Sequence, residues 1–477
     1  MLKINLIAFV INLSFLFNVN ITLAAQGPTS SQTPYITPTA LGWEVTSIMT
    51  VGDQATNGFK MVGIPDGLGA YDNGDDTFTL LMNHELGPGL GAVRSHGATG
   101  AFVSEFKINK NTLALVSGND LAVNHQIWSG TGYQAATGTA KSFARLCSGD
   151  LPAVSAFYNA STGLGTQSRI MMNGEENGSE GRAYAFIASG ANKGTAYELP
   201  RMGNFSFENN LANPYSGDQT IVIGTNDSTP GHVYIYKGTK TNTGNEIDKA
   251  GLTNGHLYGV KVNAVITESE AINGTFTLEP VNYDQTGAAL QVESNTKDIT
   301  SFARPEDGHW ADVDTFYFAT TGTAAGGSAK LYKLDFNKNM SGGTISMVKD
   351  SATLLGTDGE TARNFDNMTV DTEGNIMIQE DSGNNAYISK IWKFDLVANT
   401  WTQAFESDRS RFIPGAPKFL TQDEENSGII DVTEVIGRRD GKKYYIGVTQ
   451  AHYAIKGELV EGGQVYLLTG PTPKLNK

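Results

Sequence analysis

The sequence predicts an all-β protein, a six-bladed β-propeller with long loop insertions. Three observations lead there. Amphipathic helical periodicity is scarce along the 477 residues, while 55 glycines break the chain into short Val-, Ile-, Tyr- and Phe-rich runs. Those runs recur as six strand pairs, and the first strand of every pair ends abruptly in polar residues. A stack of β-sandwiches would show the same strands without the shared ending, whereas radial blades bring such endings around one mouth of a central channel.

The elements follow in chain order. Residues 1–25 carry one Lys, an apolar run over 4–17 and small residues at Ala24 and Ala25, the pattern of a secretory signal peptide cleaved near Ala25. Residues 26–40 are rich in Ser, Thr and Pro and read as an extended arm, and 41–477 as a single propeller domain. The six first strands are 78–85 (FTLLMNHE), 170–176 (IMMNGEE), 221–227 (IVIGTND), 316–321 (FYFATT), 376–381 (IMIQED) and 445–452 (YIGVTQAH). Their partners are 102–108, 183–187, 232–236, 330–336, 390–396 and 464–468, each with an aromatic near its middle. Turns such as Asp72-Asn-Gly-Asp75 and Arg439-Asp-Gly-Lys442 introduce several first strands.

Composition narrows the function. The formal charge is −15, and without the first 25 residues it becomes 34 − 1 − 49 = −16. A nucleic-acid surface is not expected on that balance, since phosphate backbones need a basic footprint. The single cysteine, Cys147, allows no intrachain disulfide, so an exported chain rests on its core or on metals. The expected product is a secreted or periplasmic monomer with no membrane association after leader cleavage.

The polar strand ends supply Asn83, His84 and Glu85, Glu175 and Glu176, Asp227, and Glu380 with Asp381; Arg304, Glu306, Asp307 and His309 lie between strand pairs. Carboxylates facing one cavity raise each other's pKa unless cations are present, and an oxygen-rich set suits Ca²⁺. Solvated turn acids are the bland alternative for any one of them, and recurrence at equivalent strand ends favours the metal reading. No His-Glu-x-x-His, Cys-x-x-Cys, phosphate-binding Gly-rich loop or Gly-x-Ser-x-Gly elbow is present.

Taken in order, Asn83-His-Glu85, Cys147-Ser-Gly149, Gly174-Glu-Glu-Asn177, Arg304-Pro-Glu-Asp307 and the run from Asp366 into Glu380-Asp381 resemble the PhoX-type alkaline phosphatases. The resemblance implies a six-bladed propeller that hydrolyses a small phosphoester substrate with bound Ca²⁺ and an Fe³⁺ pair. It implies Cys147 as an iron ligand, Arg304 and Glu306 as the catalytic Arg-x-Glu, and Glu85, Glu175, Glu176, Glu306, Asp307, Glu380 and Asp381 as metal positions. The alternative is a calcium-stabilised extracellular propeller that binds a partner without catalysis. Arg304 and Cys147 separate the two, because a structural calcium site needs neither a guanidinium fork nor a thiolate.

Overall fold

The computed structural model describes residues 23–269, 271–323 and 327–471. Most of the predicted leader lies outside the described residues. Six four-stranded antiparallel units are arranged radially, and every strand pair predicted from the sequence is a hydrogen-bonded pair within one unit.

Each blade begins with an inner strand that the apolar periodicity did not announce: Pro65–Asp72, Leu146–Asp150, Phe207–Ala212, Pro305–Trp310, Phe365–Val370 and Glu424–Asp431. Each inner strand packs on the next, and the sixth returns to the first. The ring is closed by the two chain ends: Glu44–Thr50 pairs antiparallel with Glu461–Thr469 and completes blade 6. The arm is extended but not free. Ala24–Gln26 pairs with Glu44–Thr50, and Ile36–Pro38 adds an outer strand to blade 5.

Alternation along the second and third strands places apolar side chains on both faces of each blade, so a hydrophobic layer fills each of the six gaps. Leu81 and Val103 meet Met171 and Phe186 between blades 1 and 2. Met172 and Ala185 meet Val222 and Tyr234 in the next gap, and Ile221 and Ile223 meet Phe316 and Phe318 in the third. Ala319 and Leu331 meet Ile376 and Ile378, then Met377 and Ile391 meet Tyr445 and Tyr466. Phe78, Leu80 and Met82 meet Ile446 and Val448 where blade 6 returns to blade 1. The loop insertions are large in blades 2 and 3, where extra strands and the helix Gly287–Thr296 lie outside the basic unit. Among the described residues no helix is long and apolar enough to cross a membrane.

Candidate metal centre

One backbone irregularity repeats around the ring. In blades 1 to 5 the register of the inner strand slips by one residue against its partner, between Pro65 and Leu68, Leu146 and Gly149, Phe207 and Asn210, Pro305 and Gly308, and Phe365 and Met368. Blade 6 slips between Ser427 and Ile429. A bulge leaves a residue outside the ladder and re-aims its side chain. The first bulge residues of blades 1 to 5 are Asp66, Cys147, Glu208, Glu306 and Asp366, all buried.

A second set comes from the residue that follows each second strand. The strands end at His84, Glu175, Asn226, Thr320 and Glu380, and the next residues are Glu85, Glu176, Asp227, Thr321 and Asp381. Both sets except Asp66, which lies against Cys147, line one cavity of about 80 Å³ in the channel mouth, whose walls hold eight carboxylates, two guanidiniums and the Cys147 thiol. The guanidiniums belong to Arg145 and Arg304, each immediately before an inner strand and each left-handed, with φ of 40° and 59°. Non-glycine residues in that region are strained by about 1 to 3 kcal/mol, and such strain persists where surrounding contacts impose it.

Those contacts are ion pairs. Arg145 donates from Nε to Glu85 at 2.9 Å and from Nη2 to Glu176. Arg304 binds Asp227 with two parallel bonds of 2.7 and 2.8 Å and approaches Glu306 at 3.3 Å. Thr321 donates to Glu306, and Gln450 donates to both Asp66 and Glu85 at 3.1 Å. Cys147 lies 3.3 Å from the Asp66 carboxylate.

Two cations cannot neutralise eight carboxylates. Burial, reinforced by neighbouring carboxylates, pushes Asp66, Glu208, Glu306 and Asp366 well above the usual carboxylate range. The same causes hold Glu176 near 9 and Asp381 near 7. Burial, then Asp66, also pushes the Cys147 thiol up. Without cations the cluster takes up protons; bound cations displace them.

The donor set fits metals. Asp66, Glu85 and Cys147 can place one ligand atom each within 4.8 Å of one another, and so can Glu208, Glu306 and Asp366. Asp66 Oδ1 is buried with no hydrogen-bond partner, an acceptor left for a cation or a proton.

The structure brings Glu85, Cys147, Glu176, Arg304, Glu306 and Asp381 together at this cavity. It does not bring Glu175, Glu380 or Asp307 there. Glu175 is clamped by Arg182 at 2.8 and 2.9 Å and by the Ala144 amide at 3.0 Å. Glu380 accepts from Tyr387, Lys390 and Trp392 at 2.8 to 2.9 Å. Asp307 accepts from Asn209 at 2.7 Å and lines a separate cavity on the other side of the bulge. The reason is period two: adjacent residues along a strand face opposite ways, so where two acids adjoin, one faces the cluster and its neighbour turns away from it. Asp66, Glu208, Glu425 and Arg145 were not singled out from the sequence.

No family model and no curated protein matches the sequence. Among solved structures, PhoX of Pseudomonas fluorescens in complex with vanadate, a transition state analogue, superposes on 93% of this chain over 97% of its own length. The TM-score is 0.62 at 11% identity. The fold is PhoX-like. A gluconolactonase of Xanthomonas campestris covers 94% of the chain and 97% of its own at 11% identity, with a TM-score of 0.37.

Proposed function

We propose that the protein is a metal-dependent phosphatase that hydrolyses phosphoesters at the mouth of the propeller channel. The observation that carries this reading is one cavity of about 80 Å³ lined by two guanidiniums, the Glu208, Glu306 and Asp366 triad, and Glu85 and Cys147 of a second triad that Asp66 completes. A binding propeller stabilised by calcium needs the carboxylates alone.

Asp66, Glu85 and Cys147 would hold a transition metal such as Fe³⁺, because a thiolate among carboxylates suits a softer, redox-capable ion. Glu208, Glu306 and Asp366 offer oxygen only and would hold Ca²⁺. Bound cations supply polarisation of the phosphoryl oxygens and stabilisation of the charge that develops on them. Arg304 and Arg145 do the positioning. Each spends Nε and Nη2 on cluster carboxylates, and each side chain is 39% and 49% exposed respectively, so Nη1 remains for a phosphoryl oxygen arriving from solvent. The carboxylates that fix the two forks pre-orient them, so little reorganisation is needed as charge builds. The PhoX neighbour's vanadate supports the same reading, since vanadate mimics a phosphoryl group in transfer. The apolar run ahead of Ala24-Ala25 supports export, and metal loading outside the cytoplasm.

The test is phosphate release from aryl phosphate monoesters and diesters by protein purified without chelators. Release from either supports the reading. No release from both, in a folded protein shown to contain its metals, overturns it.

A further inference from the structure

Beside the mouth, on the side of blade 3, a second cavity of about 310 Å³ opens. It shares Asp227 with the reaction cavity, and its wall at Ser228 to Pro230 leads directly from that residue. The Arg304 amide donates to the Ser228 carbonyl at 3.3 Å, so this wall is tied to the residue that aims the guanidinium. A phosphoester seated at the mouth therefore has one built recess for its organic half.

The lining specifies what that half is. Asp227 is its only charged residue, and Arg304 already neutralises it. Phe205 and Tyr234 form the apolar part, with ring centroids 4.8 Å apart. Asn204 uses its amide N–H groups on the Glu180 and Gly181 carbonyls, and Gln291 uses its own on His232 and Asn295. Among the described residues no donor reaches either amide oxygen, nor does the Ser206 hydroxyl have a side-chain hydrogen bond. What remains is a set of acceptors and hydroxyls without a free cation. A second phosphate is disfavoured as well: the helix Gly287–Thr296 starts here, but the Glu180 carboxylate already accepts from the Gly287 and Ala288 amides at 3.2 Å each.

We infer that this recess receives the leaving group of the phosphoester, and that the group is uncharged and hydroxyl-rich, so that the substrates are phosphate monoesters of sugars or polyols. The inference rests on the phosphatase reading. Hydroxyls satisfy Asn204, Ser206 and Gln291, an alkyl chain leaves them unpaired, and a carboxylate finds hydroxyls but no cation to offset its charge beside the two amide oxygens.

The experiment compares kcat/KM for glucose 6-phosphate and glycerol phosphate with butyl phosphate and 3-phosphoglycerate, in the metal-loaded wild type and in Gln291→Met and Ser206→Ala. The wild type is expected to favour the polyol esters about tenfold, and each variant to lower that ratio severalfold. The ratio is internally normalised, so a general loss of activity does not mimic the effect, and a melting curve confirms folding. Equal rates for all four esters, or a ratio unchanged in both variants, overturns the inference and leaves the phosphatase standing. Absence of hydrolysis of these four and of aryl phosphates overturns both.

Discussion

Arg304 grips Asp227 through two parallel bonds, Nε to Oδ1 at 2.7 Å and Nη2 to Oδ2 at 2.8 Å, from a left-handed backbone position. Arg145 occupies the same position two blades earlier and ties Glu85 to Glu176. The pseudo-symmetry of the propeller thus supplies two guanidiniums, each fixed by carboxylates from the neighbouring second strands.

Arg304→Lys is expected to lower kcat/KM for phosphoesters by about a hundredfold or more while preserving the fold. Lysine keeps the charge but cannot make two parallel bonds to Asp227 and present a third donor to substrate. Wild-type turnover in this variant, measured with an aryl phosphate, would contradict the role given to Arg304.

Cys147→Ser is expected to remove colour and iron together. A thiolate bound to Fe³⁺ absorbs in the visible, and serine neither supplies that transition nor ionises comparably. Burial and Asp66 disfavour a free thiolate here, so a thiolate at this position would need a bound ion. Visible spectroscopy and metal analysis check it; a colourless, iron-free wild type with full activity would remove the thiolate site and leave the oxygen-only triad.

Gly67→Ala is expected to destabilise the propeller by about 3 kcal/mol or prevent folding. A Cβ at Gly67 would strike the backbone of Ser148 and Gly149, where the inner strands of blades 1 and 2 touch. Backbone atoms of a closed ring cannot withdraw, so this overpacking lies at the upper end of the usual range. Chemical denaturation measures it.

Two buried histidines outside the cluster, His96 and His125, contribute a loss of stability as pH falls, opposite in sign to the raised carboxylates of the cluster. His125 stacks on Phe143 at 4.2 Å and His96 sits 5.0 Å from the same ring. Burial holds both near 4, below the ordinary 6.5. The unfolded chain therefore binds protons first as pH falls, and stability is lost between pH 6.5 and 4 at up to about 1.4 kcal/mol per pH unit for each. His125→Phe keeps the stacked ring and should remove one proton from that slope. An unchanged slope in urea titrations across this range would refute the assignment.

The apolar strands and their acidic ends were legible because alternation and abrupt polarity are local signals. Glu85, Glu176 and Asp381 came from them directly. The inner strands were not, since Pro65-Asp-Gly-Leu68 or Phe207-Glu-Asn-Asn210 carries no alternation; bulges spend the pattern on re-aiming one side chain. A signal existed nonetheless. An apolar residue or proline, then Asp, Cys or Glu, then a small or polar residue recurs at 65–67, 146–148, 207–209, 305–307 and 365–367, ahead of the second strand in blades 1 to 5. Reading that repeat would have found Asp66 and Glu208. It would also have separated Glu306, which faces the cluster, from Asp307, which does not. Arg145 had no such signal, because its place depends on a turn only tertiary contacts impose.

Metal dependence is tested most directly by hydrolysis of an aryl phosphate monoester by a single preparation before chelation, after metal removal confirmed by elemental analysis, and after readdition of Ca²⁺ and Fe³⁺. The two triads predict hydrolysis at first, loss of at least nine-tenths of it when the metals leave, and recovery on readdition. Hydrolysis undiminished in the metal-free protein would contradict the account.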